Sequence, residues 1–116
     1  SLEETALREA NEEIGVLPET VEIIGELSTI YVPYSGFKIY PYVGWTNSAP
    51  NLKASVEEVE KIIFASIPEL LNNINQRKKT TVLRGIPVTM PYFNLNNEKV
   101  WGATSMILSE FKQLIS

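Results

Sequence analysis

The sequence predicts a mixed α/β fold of the α+β type, in which a mixed β-sheet is sandwiched between helices. Two segments near the ends of the chain repeat apolar residues with the period of a helix. The segments between them are rich in β-branched and aromatic residues, which are typical of strands. Because 116 residues is the size of one ordinary domain, we expect residues 1–116 to form a single domain.

The first helix is predicted over residues 2–14. Its apolar residues recur every four positions and are Leu2, Ala6, Ala10 and Ile14. Gly15 follows at a position where helices commonly end, and Pro18 prevents the helix from continuing.

Two strands that form a hairpin are predicted next. Residues 21–32 form the first strand, with a bulge at Gly25, and residues 37–46 form the second strand after the turn sequence PYSG. The remaining elements are predicted, in chain order, as a strand over residues 58–64, a short helix over 68–74, a basic turn over 75–80, short strands over 82–83 and 88–93, a turn over 94–99 and an amphipathic helix over 104–115.

The composition narrows the chemistry that this chain can support. It contains no cysteine, histidine or aspartate, which excludes from it a thiolate nucleophile, a Ser-His-Asp triad and a cysteine-based zinc site. A metal would have to be held by glutamate, backbone carbonyls and water, and such oxygen ligands suit Mg²⁺ or Mn²⁺.

The charge and the distribution of apolar residues bear on partners and location. A net charge of −4 argues against nucleic acid or an anionic membrane as the main partner, because both favour basic surfaces. No apolar run approaches the roughly 20 residues needed to span a bilayer. The N-terminal segment is acidic and amphipathic, unlike a signal peptide, so we expect a cytoplasmic protein.

The stretch REANEEIGV places Glu9, Glu12 and Glu13 within five residues of the first helix. One interpretation is a solvated acidic face on which Arg8 pairs with Glu4 or Glu12, four residues away on either side. However, Glu13 falls inside the apolar stripe, where an unpaired carboxylate costs several kcal/mol. A divalent cation against this face would remove that cost and the repulsion between Glu9 and Glu13, so the second interpretation is a glutamate-bound metal site.

The same stretch resembles the second half of the Nudix box, whose pattern is G-x5-E-x7-R-E-U-x-E-E-x-G-U, with U a bulky aliphatic residue. The matching residues are Arg8, Glu9, Glu12, Glu13, Gly15 and Val16. Ala10 stands at the first U position and is smaller than the pattern prefers. The earlier glutamate of the pattern would lie one place before Ser1, so the resemblance implies a Nudix domain that is incomplete at its N-terminus and lacks its first strands.

Downstream segments are similar to the coenzyme A pyrophosphatase branch of the Nudix hydrolases. They are the stretches ELSTIYVPYSGFKIYPYVGW, EVEKII, PYF and VWGATSMIL. This resemblance implies an enzyme that uses Mg²⁺ or Mn²⁺ to cleave coenzyme A or an acyl derivative into 3′,5′-ADP and a 4′-phosphopantetheine. Other Nudix substrates stay open, such as ADP-ribose, a nucleotide sugar or an oxidised nucleotide, and so does a non-catalytic Nudix-like binding module.

The resemblance assigns roles to the cluster. It implies that Glu9, Glu12 and Glu13 are catalytic metal ligands and that Arg8 orients their carboxylates. A further glutamate often completes Nudix sites from outside the box. Among Glu57, Glu58 and Glu60 we favour Glu58, because it begins the matching EV pair; an ordinary solvent-facing strand residue is the alternative.

Two other stretches are candidates for substrate contacts. Ser35, Gly36 and Phe37 could line the substrate cleft, with Phe37 against an adenine or the pantetheine arm; an ordinary core phenylalanine is the alternative. The basic residues of NQRKKTTVLR could bind a 3′-phosphate, although a solvated basic turn is the more common role of such a stretch. We expect a small-molecule diphosphate as partner, and a homodimer could cover the sheet edge that missing strands would leave.

Overall fold

The structure is a computed structural model that describes residues 1–33, 35–59 and 61–116. The chain divides into two compact units, Ser1–Ile62 and Ile63–Ser116. The strands of both units pair antiparallel in three small sheets, and three α-helices accompany them. The α+β class predicted from the sequence is therefore confirmed. None of the helices in the described part of the chain is long and apolar enough to cross a membrane.

The first unit begins with helix α1, Leu2–Ile14, followed by a 3₁₀ helix over Pro18–Thr20. The predicted bounds of α1 are confirmed. Its N-terminus is capped by Ser1, whose side chain accepts a hydrogen bond from the backbone N–H of Glu4. It ends because Gly15 adopts the left-handed conformation, with φ at 77°, and donates its N–H to the carbonyl of Asn11.

Four short strands complete the first unit: β1 Glu22–Glu26, β2 Ile30–Val32, β3 Phe37–Ile39 and β4 Tyr42–Trp45. Strand β1 pairs with β4, and β2 pairs with β3, so the predicted hairpin pairing is confirmed. Each of the two predicted strands is divided in two, at residues 27–29 and at residues 40–41. The register shifts between Ile23 and Gly25, which confirms the bulge. A bond from the N–H of Leu27 to the carbonyl of Pro41 (2.9 Å) joins the two segments between the ladders.

The second unit contains α2 Ile67–Leu71, a 3₁₀ helix Asn73–Asn75, β5 Gln76–Leu83, β6 Ile86–Leu95, β7 Glu98–Val100 and α3 Gly102–Ile115. These elements confirm the predicted short helix, the short strands and the final helix, with bounds that differ by a few residues. The core consists of Leu70, Phe93, Leu95 and Val100, against which Leu108 and Phe111 of α3 pack. Phe93 is the most deeply buried of them, with 2% of its surface exposed.

The predicted basic turn over residues 75–80 is wrong, because residues 76–80 form the first part of strand β5. The backbone of β5 pairs with β6 along eight positions, from Gln76 opposite Phe93 to Leu83 opposite Ile86. The chain instead reverses at Arg84 and Gly85, both at positive φ. Since β5 lies at the edge of its sheet, its basic side chains remain in water and do not prevent pairing.

The predicted strand over residues 58–64 is also wrong within the described part of the chain. Residues 56–58 form a turn, held by bonds from the N–H groups of Glu58 and Val59 to the carbonyl of Ser55. The apolar residues that suggested a strand have no partner strand, and Phe64 remains 63% exposed. The apolar pattern of this segment therefore suggested a strand where no neighbouring strand is present to pair with it.

Candidate active site

The predicted carboxylates lie on the C-terminal half of α1. Glu9 and Glu12 are exposed, whereas Glu13 is half-buried. Partial burial raises the pKa of Glu13 above its ordinary value of 4.5, and the charges of Glu9, Glu58 and Glu12 raise this pKa further. The structure thus brings all four predicted glutamates close enough for the other three to act electrostatically on Glu13.

Glu58 reaches this cluster because residues 53–59 dock on the end of α1. The backbone N–H of Ser55 donates to the carbonyl of Glu13 at 2.7 Å, and that of Lys53 donates to the carbonyl of Ile14 at 2.9 Å. Both carbonyls belong to the last turn of the helix, where no intrahelical donor remains for them. Satisfying them fixes the path of the segment that carries Glu58, which we call the docked segment.

The turn between α1 and β1 has its own internal bond. The side-chain amide of Asn11 donates to the carbonyl of Val16 at 3.0 Å and so spans Gly15. A Cβ on Gly15 would lie 3.8 Å from the backbone N and O of Lys53. The turn and the docked segment are therefore in close contact.

A cleft of about 600 Å³ lies between α1 and the β2–β3 hairpin, inside the first unit. Helix α1 contributes an apolar lining of Leu2, Ala6, Ala10 and Ile14. Glu9 and Glu13 also line it, and so do Ser35 and Phe37 from the hairpin. The predicted substrate-contact residues Ser35 and Phe37 thus share one cleft with two of the carboxylates, whereas Gly36 is not part of its lining.

Other candidates are placed less directly. Arg8 is exposed, and among the described residues its guanidinium forms no ion pair with Glu4 or Glu12, so those predicted pairs are not formed. Glu57 is exposed in the turn of residues 56–58, and Glu60 lies outside the described residues. Sequence reasoning also missed Asn11, Lys53 and Ser55. An asparagine four residues before a helix-ending glycine is a signal for the first of these; the other two act through backbone N–H groups, which no residue type reveals.

The donor chemistry of the cluster fits a hard divalent cation, because every side-chain ligand it offers is a carboxylate oxygen. Within the described residues, no group of three or more acidic side chains is already arranged to hold a metal ion. Glu9 and Glu12 are exposed, so their side chains would have to turn toward Glu13 for three carboxylates to share one ion.

The molecule is thus an α+β chain with a carboxylate-rich helix beside a cleft. Its sequence is similar to those of known proteins. It is 30% identical over 131 aligned residues to "Nudix hydrolase 3" of Caenorhabditis elegans, covering 97% of this chain and 54% of that protein. It is 34% identical over 110 residues to "Uncharacterized Nudix hydrolase NudL" of Enterobacter sp. (strain 638), covering 95% of this chain and 57% of that protein. The NudL protein of Photorhabdus laumondii is 26% identical over 111 residues.

The similarity to these Nudix hydrolases extends over nearly the whole chain, including both units. The chain spans a little over half the length of the curated relatives it matches. No protein-family model matches it.

Proposed function

We propose that the protein is a divalent-metal-dependent Nudix hydrolase that cleaves the diphosphate bond of coenzyme A or acyl-coenzyme A. The products would be 3′,5′-ADP and a 4′-phosphopantetheine. The observation that carries this proposal is the position of Glu13. It lines the same cleft as Ser35 and Phe37. The charges of Glu9, Glu58 and Glu12 also act on it and raise its pKa. A diphosphate and this acidic cluster repel each other, so a cation is needed for the two to meet.

In this proposal Glu9, Glu12 and Glu13 hold Mg²⁺ or Mn²⁺. The bound ion would lower the pKa of a water molecule and stabilise charge on the phosphoryl oxygens. The role of Arg8 in orienting the carboxylates rests on the resemblance alone, because Arg8 is exposed and forms no ion pair with Glu4 or Glu12 among the described residues. Glu58 completes the set as a further carboxylate, either a ligand or the proton acceptor. The backbone hydrogen bonds of Lys53 and Ser55 to the end of α1 hold the docked segment, which carries Glu58.

The cleft supports a substrate that is only partly charged. Its lining is mainly apolar, and the exposed ring of Phe37 is available to an adenine or to the pantetheine arm. Ser35 can offer a hydroxyl to a polar group of the same substrate. The choice of coenzyme A over other diphosphates rests on the resemblance of the downstream segments to one branch of the superfamily.

Product analysis on the complete protein tests the proposal. We expect release of 3′,5′-ADP from coenzyme A in the presence of Mg²⁺ or Mn²⁺ and no release with a chelator. Turnover of ADP-ribose, a nucleotide sugar or an oxidised nucleotide, with none of coenzyme A, would assign a different Nudix substrate. Failure to turn over any of these with either metal would favour a binding module. A single domain, a homodimer and a cytoplasmic location remain predictions of the sequence.

A further inference from the structure

Asn11 makes a contact that the proposed chemistry does not use. It stands between Ala10 and Glu12 on α1, and its side chain is half-buried. Its amide donates at 3.0 Å to the carbonyl of Val16, beyond the end of the helix. A second bond, from the N–H of Gly15 to the carbonyl of Asn11, closes the same turn from the backbone side. One residue therefore holds the chain on both sides of Gly15.

The same turn receives the docked segment. The carbonyls of Glu13 and Ile14 accept the N–H groups of Ser55 and Lys53, at 2.7 and 2.9 Å. The direction of these carbonyls depends on the geometry of the last helical turn, which the Asn11 bond stabilises. Any loosening of that turn would displace the docked segment, and with it Glu58, relative to Glu13.

We propose that Asn11 is a positioning residue of the carboxylate cluster, which sets the separation of Glu13 and Glu58 by fixing the turn onto which residues 53–59 dock. This inference rests on the proposed metal-binding function of the glutamates. Asn11 itself supplies no ligand, because its amide nitrogen is directed to Val16. Its effect on the metal would be indirect, like that of residues that orient the metal ligands without touching the metal. Loss of such residues typically weakens metal binding by about 10–100-fold.

A matched control exists in the second unit. The side-chain amide of Asn75 donates to the carbonyl of Glu69 at 2.9 Å and is also half-buried. Asn75→Ala removes a bond of the same type and burial, and of nearly the same length, from a part of the chain without the glutamate cluster. Asn11→Ala should fold, since alanine is a better helix former than asparagine at an internal helical position.

The experiment measures Mn²⁺ binding to the complete protein by electron paramagnetic resonance, together with hydrogen exchange of the Lys53 and Ser55 amides. We expect Asn11→Ala to weaken Mn²⁺ binding by about tenfold and to accelerate exchange of both amides, whereas Asn75→Ala changes neither by more than about twofold. Equal effects of the two variants on Mn²⁺ affinity would show a merely structural role.

Two further outcomes separate this inference from the function on which it rests. Wild-type protein that binds Mn²⁺, and keeps the same affinity and the same amide exchange in Asn11→Ala, would overturn the positioning role while leaving the proposed function intact. Wild-type protein that binds no Mn²⁺ would overturn both. Tenfold weaker binding with intact exchange at Lys53 and Ser55 would also contradict the positioning role, because the docked segment would not be the route.

Discussion

Glu13 and Lys112 are both charged side chains drawn partly out of water, but their surroundings differ. Lys112 of α3 is 9% exposed, and its Nζ donates to Asn73 Oδ1 at 2.9 Å and to Gln76 Oε1 at 3.0 Å. Its ammonium also lies 5.9 Å from the centre of the Phe93 ring. Glu13 has the opposite environment, since burial and the charges of neighbouring carboxylates both raise its pKa.

The contrast extends to the two units that contain these residues. The first unit has eleven glutamates and four basic residues, a net charge of −7, whereas the second has three glutamates and six basic residues, a net charge of +3. The hydrophobic core cluster also lies in the second unit, while α1 of the first unit has no buried residue. The hydrogen-bond partners of Lys112 thus lie within the chain, whereas the charges that act on Glu13 have its own sign, as the proposed metal site requires.

The largest effect that this contrast predicts is on catalysis. Glu13→Gln removes a negative charge and a ligand while keeping the shape of the side chain. We expect kcat of the complete protein to fall by about 10²–10³, the size of effect produced by losing one group that stabilises transition-state charge. Steady-state kinetics with coenzyme A measures it, and Glu19→Gln, the same change on the exposed 3₁₀ helix, is the control. Turnover within a few-fold of wild type would exclude Glu13 from catalysis.

The next-largest effect is expected on stability, when the buried Lys112 is replaced. Lys112→Met keeps most of the apolar stem but leaves the oxygens of Asn73 and Gln76 without their donor, so we expect the free energy of unfolding to fall by about 2 kcal/mol. Urea denaturation measures this loss. Lys99→Met, whose ammonium lies 5.7 Å from the centre of the Tyr92 ring, should cost about 0.5 kcal/mol. If Lys112→Met also weakened Mn²⁺ binding, the assignment of Lys112 to stability and of Glu13 to metal binding would be wrong.

A smaller effect is expected at the turn that joins the carboxylates to the docked segment. Gly15→Ala forces a Cβ onto a residue at φ 77°, which costs about 1 kcal/mol. Gly85 has the same φ of 77°, with no atom near its missing Cβ. Thermal denaturation should therefore show similar losses for Gly15→Ala and Gly85→Ala. Only Gly15→Ala should weaken Mn²⁺ binding; equal binding by both variants would argue that the turn is irrelevant to the cluster.

The smallest effect is a pH dependence of the metal-free protein. Because the pKa of Glu13 is raised above 4.5 on folding, the folded state holds this proton more tightly than the unfolded state. The contribution of Glu13 to stability is therefore lost as the pH rises from about 4.5 through the folded pKa. The difference in Tm between Glu13→Gln and wild type, measured with a chelator, should increase from pH 4 to pH 7. A constant difference would show that the pKa of Glu13 is not raised.

The sequence was sufficient to predict an element wherever the conformation depended on residues close together in the chain. The four-residue apolar repeat and Gly15 defined α1, and the register shift next to Gly25 appeared where the bulge was expected. The two errors, at residues 75–80 and 58–64, arose where the conformation depends on whether a partner strand is present. Residues 76–80 are too basic to suggest a strand, yet β6 supplies a partner strand along their whole length. The apolar residues at 62–64 suggest a strand, but they pair with no strand in the described part of the chain.

The candidate site was predictable to the extent that it depends on spacing along one helix. Glu9, Glu12 and Glu13 needed only the period of α1, and the proximity of Glu58 followed from a resemblance. The docked segment was not predictable, because Ser55 and Lys53 bind through backbone N–H groups that every residue except proline possesses. Tertiary contacts of this kind leave no mark on composition or pattern.

The charge pattern of α1 has a consequence for folding itself. Peptide dipoles give a helix a partial negative charge at its C-terminus, where basic residues are favourable, yet the last turn of α1 contains no basic residue and includes Glu12 and Glu13. Each such carboxylate costs a few tenths of a kcal/mol or more. A cation bound at the end of α1 would remove this cost and so would also stabilise the helix terminus. Fraying of this last turn would then report the free concentration of divalent metal.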